Sequence, residues 1–248
     1  DTWRDNVDIK PTEFYNRLTS SSLFPTTSQP NVGEFYEFFR SVAQNADSIV
    51  AVLISDALSG TIDSAKGAVA MIDDLRITVV DSMATSMMLG FTVLEAAKLA
   101  ADGASHDEVV AAAEKAVDET GILFLVDTLE FLHRGGRIGG AAKYIGSALN
   151  LKPILEINDG VIMPLAKVRT TKKAYEKTIE ILKDRLGDAT NVKLAVIHAG
   201  ALERANEARD DLAKRFNLSE VLVTDVSPAI GAHAGPGTIG FCYQAFKD

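Results

Sequence analysis

Thiol chemistry is nearly absent from this 248-residue chain: its one cysteine, Cys242, can form no intramolecular disulfide and no cysteine-rich metal site. That scarcity fits a reducing compartment, and a cytoplasmic protein is expected. Basic residues are in the minority, 25 Lys and Arg against 34 Asp and Glu. The resulting net charge of -9 repels a polyanion, which argues against nucleic-acid binding. No apolar run reaches the ~18 residues of a membrane span; "SIVAVLIS" and "GILFLVD" are strand-length. The opening residues "DTWRDNVDIKP" are polar, hold no signal peptide and do not start with Met, so the sequence is expected to begin inside the natural protein. Common catalytic signatures are missing too: there is no G-x-S-x-G, no H-E-x-x-H and no G-x-x-x-x-G-K-[ST].

What is present is the balance of a folded protein, 47% apolar and 24% charged, with a length that allows two domains. Asn31 and Glu34 form an N-cap pair before Phe35, Phe38, Phe39 and Val42 at helical spacing. Buried strands are expected at "SIVAVLI" and "RITVVDS", alternating with helices that carry Ile62, Ala65, Val69 and Ile72, then residues 87–101 and 107–118. Continuously apolar strands alternating with helices imply a parallel sheet covered on both faces. After Glu119 the texture changes. "KPILEINDGVIMPLAKVRT" reads as a hairpin turning at Asn158, Asp159 and Gly160, followed by a helix with Tyr175, Ile179, Leu182 and Leu186 on one face. The fold class is therefore α/β with two domains: residues 1–118 as a parallel α/β/α domain and 119–248 as a mixed α/β domain.

In open α/β sheets, ligands bind where strand ends lead into helix N-termini. Three such loops carry hydroxyls: "PTTSQP", "SDALSGTIDSA" and "DSMATS". Ser59, Gly60 and Thr61 stand directly before a helix and could receive an anionic oxygen, or could simply cap it. Near the end, "VSPAIGAHAGPGTIGF" reads as a loop with four glycines, two prolines and His233 set between small residues. Its "GPGTIG" fits G-x-G-x-x-G, but it neither follows a strand directly nor opens a helix, so nucleotide binding is not supported. His106, His133 and His198 are isolated, with satisfied or solvent-facing roles expected. Arg134, Arg137 and Lys143 make either an anionic partner's footprint or a solvated basic turn. Arg169, in "AKVRTTKKA", suits a carboxylate or phosphate, or is ordinary charge at a helix start.

Taken in order, "TTSQP", "LSGTIDSA", "VVDS", "FLHRGGRIG", "KVRTTKKA" and "GAHAGPGTIG" resemble the DegV family of bacterial fatty-acid-binding proteins along nearly the whole chain. The resemblance implies two α/β domains with a fatty acid, such as palmitate, between them, and no metal or organic cofactor. It assigns the carboxylate to Thr27, Ser59 and His233, supported by Ser28 and Gly60. It further implies a carrier without turnover of its own, whose lipid is phosphorylated to an acyl phosphate by a partner fatty acid kinase, with Arg169 near the transfer site. Two departures stand out. Ile62 replaces an aromatic common after S-G-T, and "SMATSMMLG" lacks the usual glycine spacing after D-S. The competing readings are a small-molecule phosphotransferase or hydrolase using His233 with Ser59 or Thr27, and a regulatory interaction protein built on the basic turn around Arg134.

Overall fold

A computed structural model of the chain describes residues 1–21, 24–146 and 151–246. Helix α1 (Pro11–Ser20) carries proline in its first turn, where the missing N–H is no loss. The chain then enters the smaller of two compact units, residues 28–120 with 159–161. Helix α2 (Val32–Ala43) opens with the expected capping box: Glu34 N–H donates to Asn31 Oδ1 at 3.0 Å, and Asn31 N–H to Glu34 Oε2 at 2.7 Å. Phe35 and Phe39 are buried, whereas Phe38 is 61% exposed because it stands at the edge of the stripe those two centre.

Strand β1 (Ser48–Leu53), helix α3 (Thr61–Val69), strand β2 (Arg76–Asp81), helix α4 (Ser86–Ala101) and helix α5 (His106–Glu119) complete this unit. β1 and β2 pair in parallel from Ser48↔Arg76 to Leu53↔Asp81. Two cores flank them. Phe35, Phe39, Ile49, Ala65, Ala68 and Ile72 form one, and Val80, Ala96, Val109 and Ala113 the other. The result is the expected α/β/α layering, the β1–β2 pair covered by helices on both faces.

The larger unit takes residues 1–27, 121–158 and 162–248. It contains β3 (Thr120–Leu125), α6 (Glu130–Arg134), a 3-10 turn (Gly139–Tyr144), β4 (Lys152–Asn158), β5 (Val161–Val168), α7 (Thr171–Leu186), β6 (Asn191–His198), α8 (Leu202–Arg215), β7 (Glu220–Asp225), α9 (Pro228–Ala234) and β8 (Ile239–Phe246). Among the described residues the sheet order is β5-β4-β3-β8-β6-β7. It is mixed: β6 runs parallel to β7 and antiparallel to β8, and β3 is antiparallel to β4. The hairpin between β4 and β5 turns on Asp159 and Gly160, with φ of 48° and 74°, as a two-residue type I′ loop requires. Ile179, Leu182 and Leu186 of α7 and Ala205, Ala208 and Leu212 of α8 pack on Leu194, Val196 and Phe241 of the sheet.

A single cut between residues 118 and 119 therefore does not describe residues 1–27, which group with the larger unit. The cause is α1. Its buried Tyr15 donates to the Val226 carbonyl at 2.8 Å, and a β-carbon on Gly200 would come within 3.1 Å of Tyr15. The chain crosses between units at Thr27/Ser28, inside "TTSQP".

Candidate functional site

The stretch around His233 is mostly helix rather than the irregular loop its composition suggests. Pro228 occupies the first turn of α9 and Gly235, at φ 81°, terminates it, so glycine and proline here punctuate a short helix. "GPGTIG" follows that helix and leads into β8, the reverse of the dinucleotide arrangement. His233 lies in the last turn of α9.

Its Nε2 stands 2.7 Å from the Thr27 hydroxyl, although 206 residues separate the two in sequence. The other nitrogen, Nδ1, is buried and has no hydrogen-bond partner among the described residues. It sits where a β-carbon on Gly135 would be. Likewise, a β-carbon on Gly235 would fall 2.5 Å from the Phe131 ring, and one on Gly237 would strike the Asp127 carboxylate. The missing side chains of Gly235 and Gly237 thus make room for neighbouring protein groups. Burial, then the positive charge of Arg137, holds the His233 pKa below its ordinary value, so the imidazole is neutral near pH 7.

Thr27 and His233 share a cavity of about 300 Å³ with Phe24, Arg134 and Arg137. Arg137 Nη1 donates to the Gly135 carbonyl at 2.8 Å. Arg134 lies 4.0 Å above the Phe24 ring and pairs with Glu130 at 2.7 Å. A neutral imidazole, a hydroxyl and two guanidinium groups make a wall suited to an anion. The two arginines are the part that sequence reasoning left undecided, since nothing in "HRGGRIG" says that it packs beside a histidine 96 to 99 positions away.

In the smaller unit, Gly60 itself is the N-cap of α3, with no side-chain cap hydrogen bond among the described residues. The Ser59 hydroxyl instead lies 2.8 Å from Thr61 Oγ1, so it is not spent on a cap. Gln29 Nε2 donates to the Gly60 carbonyl at 2.9 Å and to Ser64 Oγ at 3.2 Å, and a β-carbon on Gly60 would lie 2.7 Å from the Gln29 amide. Gln29 was not singled out from sequence, although it stands in "TTSQP". Ser28 is exposed in irregular chain. After β2, Met83 and Ser86 adopt φ of 51° and 54° without being glycine, a local backbone strain within "SMATSMMLG".

Arg169 is exposed between β5 and α7, next to Thr170, whose hydroxyl accepts from Lys173 N–H at 3.3 Å to cap α7. It does not line the cavity. His106 bonds Ser48 and Thr78, His198 is buried 3.5 Å from Asp225, and His133 faces solvent. Among the described residues, no group of three or more His, Cys, Asp or Glu is placed to hold a metal ion, and no helix is long and apolar enough to cross a membrane.

A family model described as "Uncharacterised protein, DegV family" matches residues 1–245. The chain belongs to the DegV family. A DegV domain-containing protein of Streptomyces coelicolor is 46% identical over 217 residues, covering 87% of this chain and 76% of the relative. Among solved structures, "Fatty Acid Binding of a DegV family Protein from Thermus thermophilus" superposes with a TM-score of 0.92 at 35% identity, over 98% of this chain and 87% of that one. A DegV family protein of Ruminococcus gnavus described with vaccenic acid matches with a TM-score of 0.86 at 27% identity, again over 98% and 87%. The two-unit α/β architecture is thus that of DegV structures.

Proposed function

We infer that this chain binds a long-chain fatty acid, palmitate or a similar acid, and holds its carboxylate through Thr27 and His233. The observation that carries the reading is the pair itself: a hydroxyl 2.7 Å from a neutral imidazole, in a cavity that also bears Arg134 and Arg137. A desolvated carboxylate opposes binding unless donors and positive charge meet it, and these groups provide both. Ser59, Gly60 and Ser28 join the headgroup in this reading on the strength of the motif resemblance, and the uncapped Ser59 hydroxyl is compatible with that role. Affinity comes from the tail. Burying sixteen carbons contributes on the order of 12 kcal/mol before association costs.

The chain then acts as a carrier in the cytoplasm, presenting the acid to a fatty acid kinase that makes the acyl phosphate. Arg169, exposed and outside the cavity, is assigned to the phosphoryl group or the kinase surface. Fatty acid binding recorded for DegV relatives supports the lipid class. A hydrolase or phosphotransferase using His233 as base has the Thr27 contact in its favour. It would need a third group to orient Nδ1, and that atom has no hydrogen-bond partner among the described residues. The test is a binding competition between palmitate and its methyl ester. The acid should bind at least tenfold tighter, and equal binding would contradict carboxylate recognition.

A further inference from the structure

We propose that His233 is fixed as its Nε2–H tautomer, so that the imidazole donates to Thr27 Oγ1 and the Thr27 hydroxyl proton is aimed at an anion in the cavity. This rests on the reading of Thr27 as a carboxylate contact, but its evidence is separate.

A neutral imidazole carries one proton on one of two nitrogens, and its partners decide which. Nδ1 is buried, has no partner among the described residues and is pressed against Gly135. The Gly135 N–H cannot reach across to it, because it already donates to the Phe131 carbonyl at 2.9 Å. A buried N–H left unpaired costs more than a buried lone pair left unpaired, so the proton belongs on Nε2. Charging both nitrogens is disfavoured by burial and by Arg137.

The consequence falls on Thr27. A hydroxyl has one proton to give and lone pairs to accept with. If Nε2–H donates at 2.7 Å, the hydroxyl accepts there and keeps its proton for another partner. With the opposite tautomer the hydroxyl would spend its proton on Nε2 and turn only lone pairs to the cavity, where a carboxylate would be repelled. His233 is therefore a positioning residue, acting on the anion through Thr27.

The experiment uses the full chain with ¹⁵N-labelled histidine, in the lipid-free and palmitate-bound states. Long-range ¹H–¹⁵N spectra, assigned with His233→Gln, should show Nε2 as the protonated nitrogen and Nδ1 as the bare one in both states. The Gln side chain offers an amide N–H near the Nε2 position, so His233→Gln should retain palmitate affinity to within a few fold while His233→Ala loses about tenfold or more. A protonated Nδ1 overturns the tautomer even if palmitate binds normally. Equal losses in His233→Gln and His233→Ala overturn donation through Nε2. The predicted tautomer with no palmitate binding at all would instead sink the lipid reading and leave the tautomer standing.

Discussion

Nδ1 of His233 occupies the space that a β-carbon on Gly135 would take. Gly135 has φ of -75°, so alanine there suits the backbone; the imidazole is its nearest obstacle, with the Phe131 carbonyl next at 3.0 Å. Gly135→Ala should push His233 off Thr27 and weaken fatty acid binding by about tenfold, the scale of one hydrogen bond to a charged group, while thermal stability changes little. Gly136→Ala is the control. It strains a residue at φ 71° but meets nothing within 4 Å among the described residues, so it should cost stability and spare binding. If the two variants bind alike, Gly135 is not there for the histidine.

Thr27→Val keeps the shape and removes the hydroxyl. Combined with Ser59→Ala, it should weaken binding of palmitate by tenfold or more and binding of its methyl ester by much less, since a hydrogen bond to a charged group contributes roughly 1.5 to 3 kcal/mol. Fluorescence competition with both ligands gives the answer. Equal losses would move these residues to the tail or the scaffold.

The elements were legible where local chemistry specifies them. Asn31 with Glu34, the apolar β1 and β2, and Asp159-Gly160 each contain their own instruction, as cap, buried strand and turn. What sequence could not supply was proximity. The motif resemblance assigns Thr27 and His233 to one carboxylate, but their direct 2.7 Å contact, and the presence of Arg137 beside them, depend on α1, α6 and α9 meeting in one unit. The α9 segment misled for a related reason: Pro228 and Gly235 are breakers inside a helix and punctuation at its ends, and composition alone does not distinguish the two. Phe38 shows the limit of periodicity, which locates a stripe but not its edges.

Arg169→Ala should leave palmitate affinity within twofold or so, because the side chain is exposed and outside the cavity. It should slow acyl-phosphate formation by a partner kinase at saturating lipid, where charge accumulates during transfer. Collapse of affinity with an unchanged rate would make Arg169 a direct carboxylate ligand and reverse this division of roles.

Stability should fall in mild acid. His106, His198 and His233 each have a folded-state pKa below the ordinary 6.5, chiefly through burial, so the unfolded chain binds protons more readily. Their contribution is fully present above about pH 6.5 and is lost as pH drops through the lowered folded values. The carboxylates held down by arginine, Asp8 and Asp74, act only below about pH 4. Thermal melts between pH 8 and 5 should therefore show a falling Tm below 6.5, and His198→Gln should flatten part of the slope. A Tm constant across that range would contradict the assignment of these histidines as neutral groups partly or wholly withdrawn from solvent.

The central claim is the ligand. Organic extraction of protein purified from a bacterial host, followed by mass spectrometry, tests it most directly, because a buried acyl tail is costly to return to water and a chain that binds one should retain it. A long-chain fatty acid near one per chain is the predicted result. Recovery of a nucleotide or sugar phosphate, with no lipid, would contradict it.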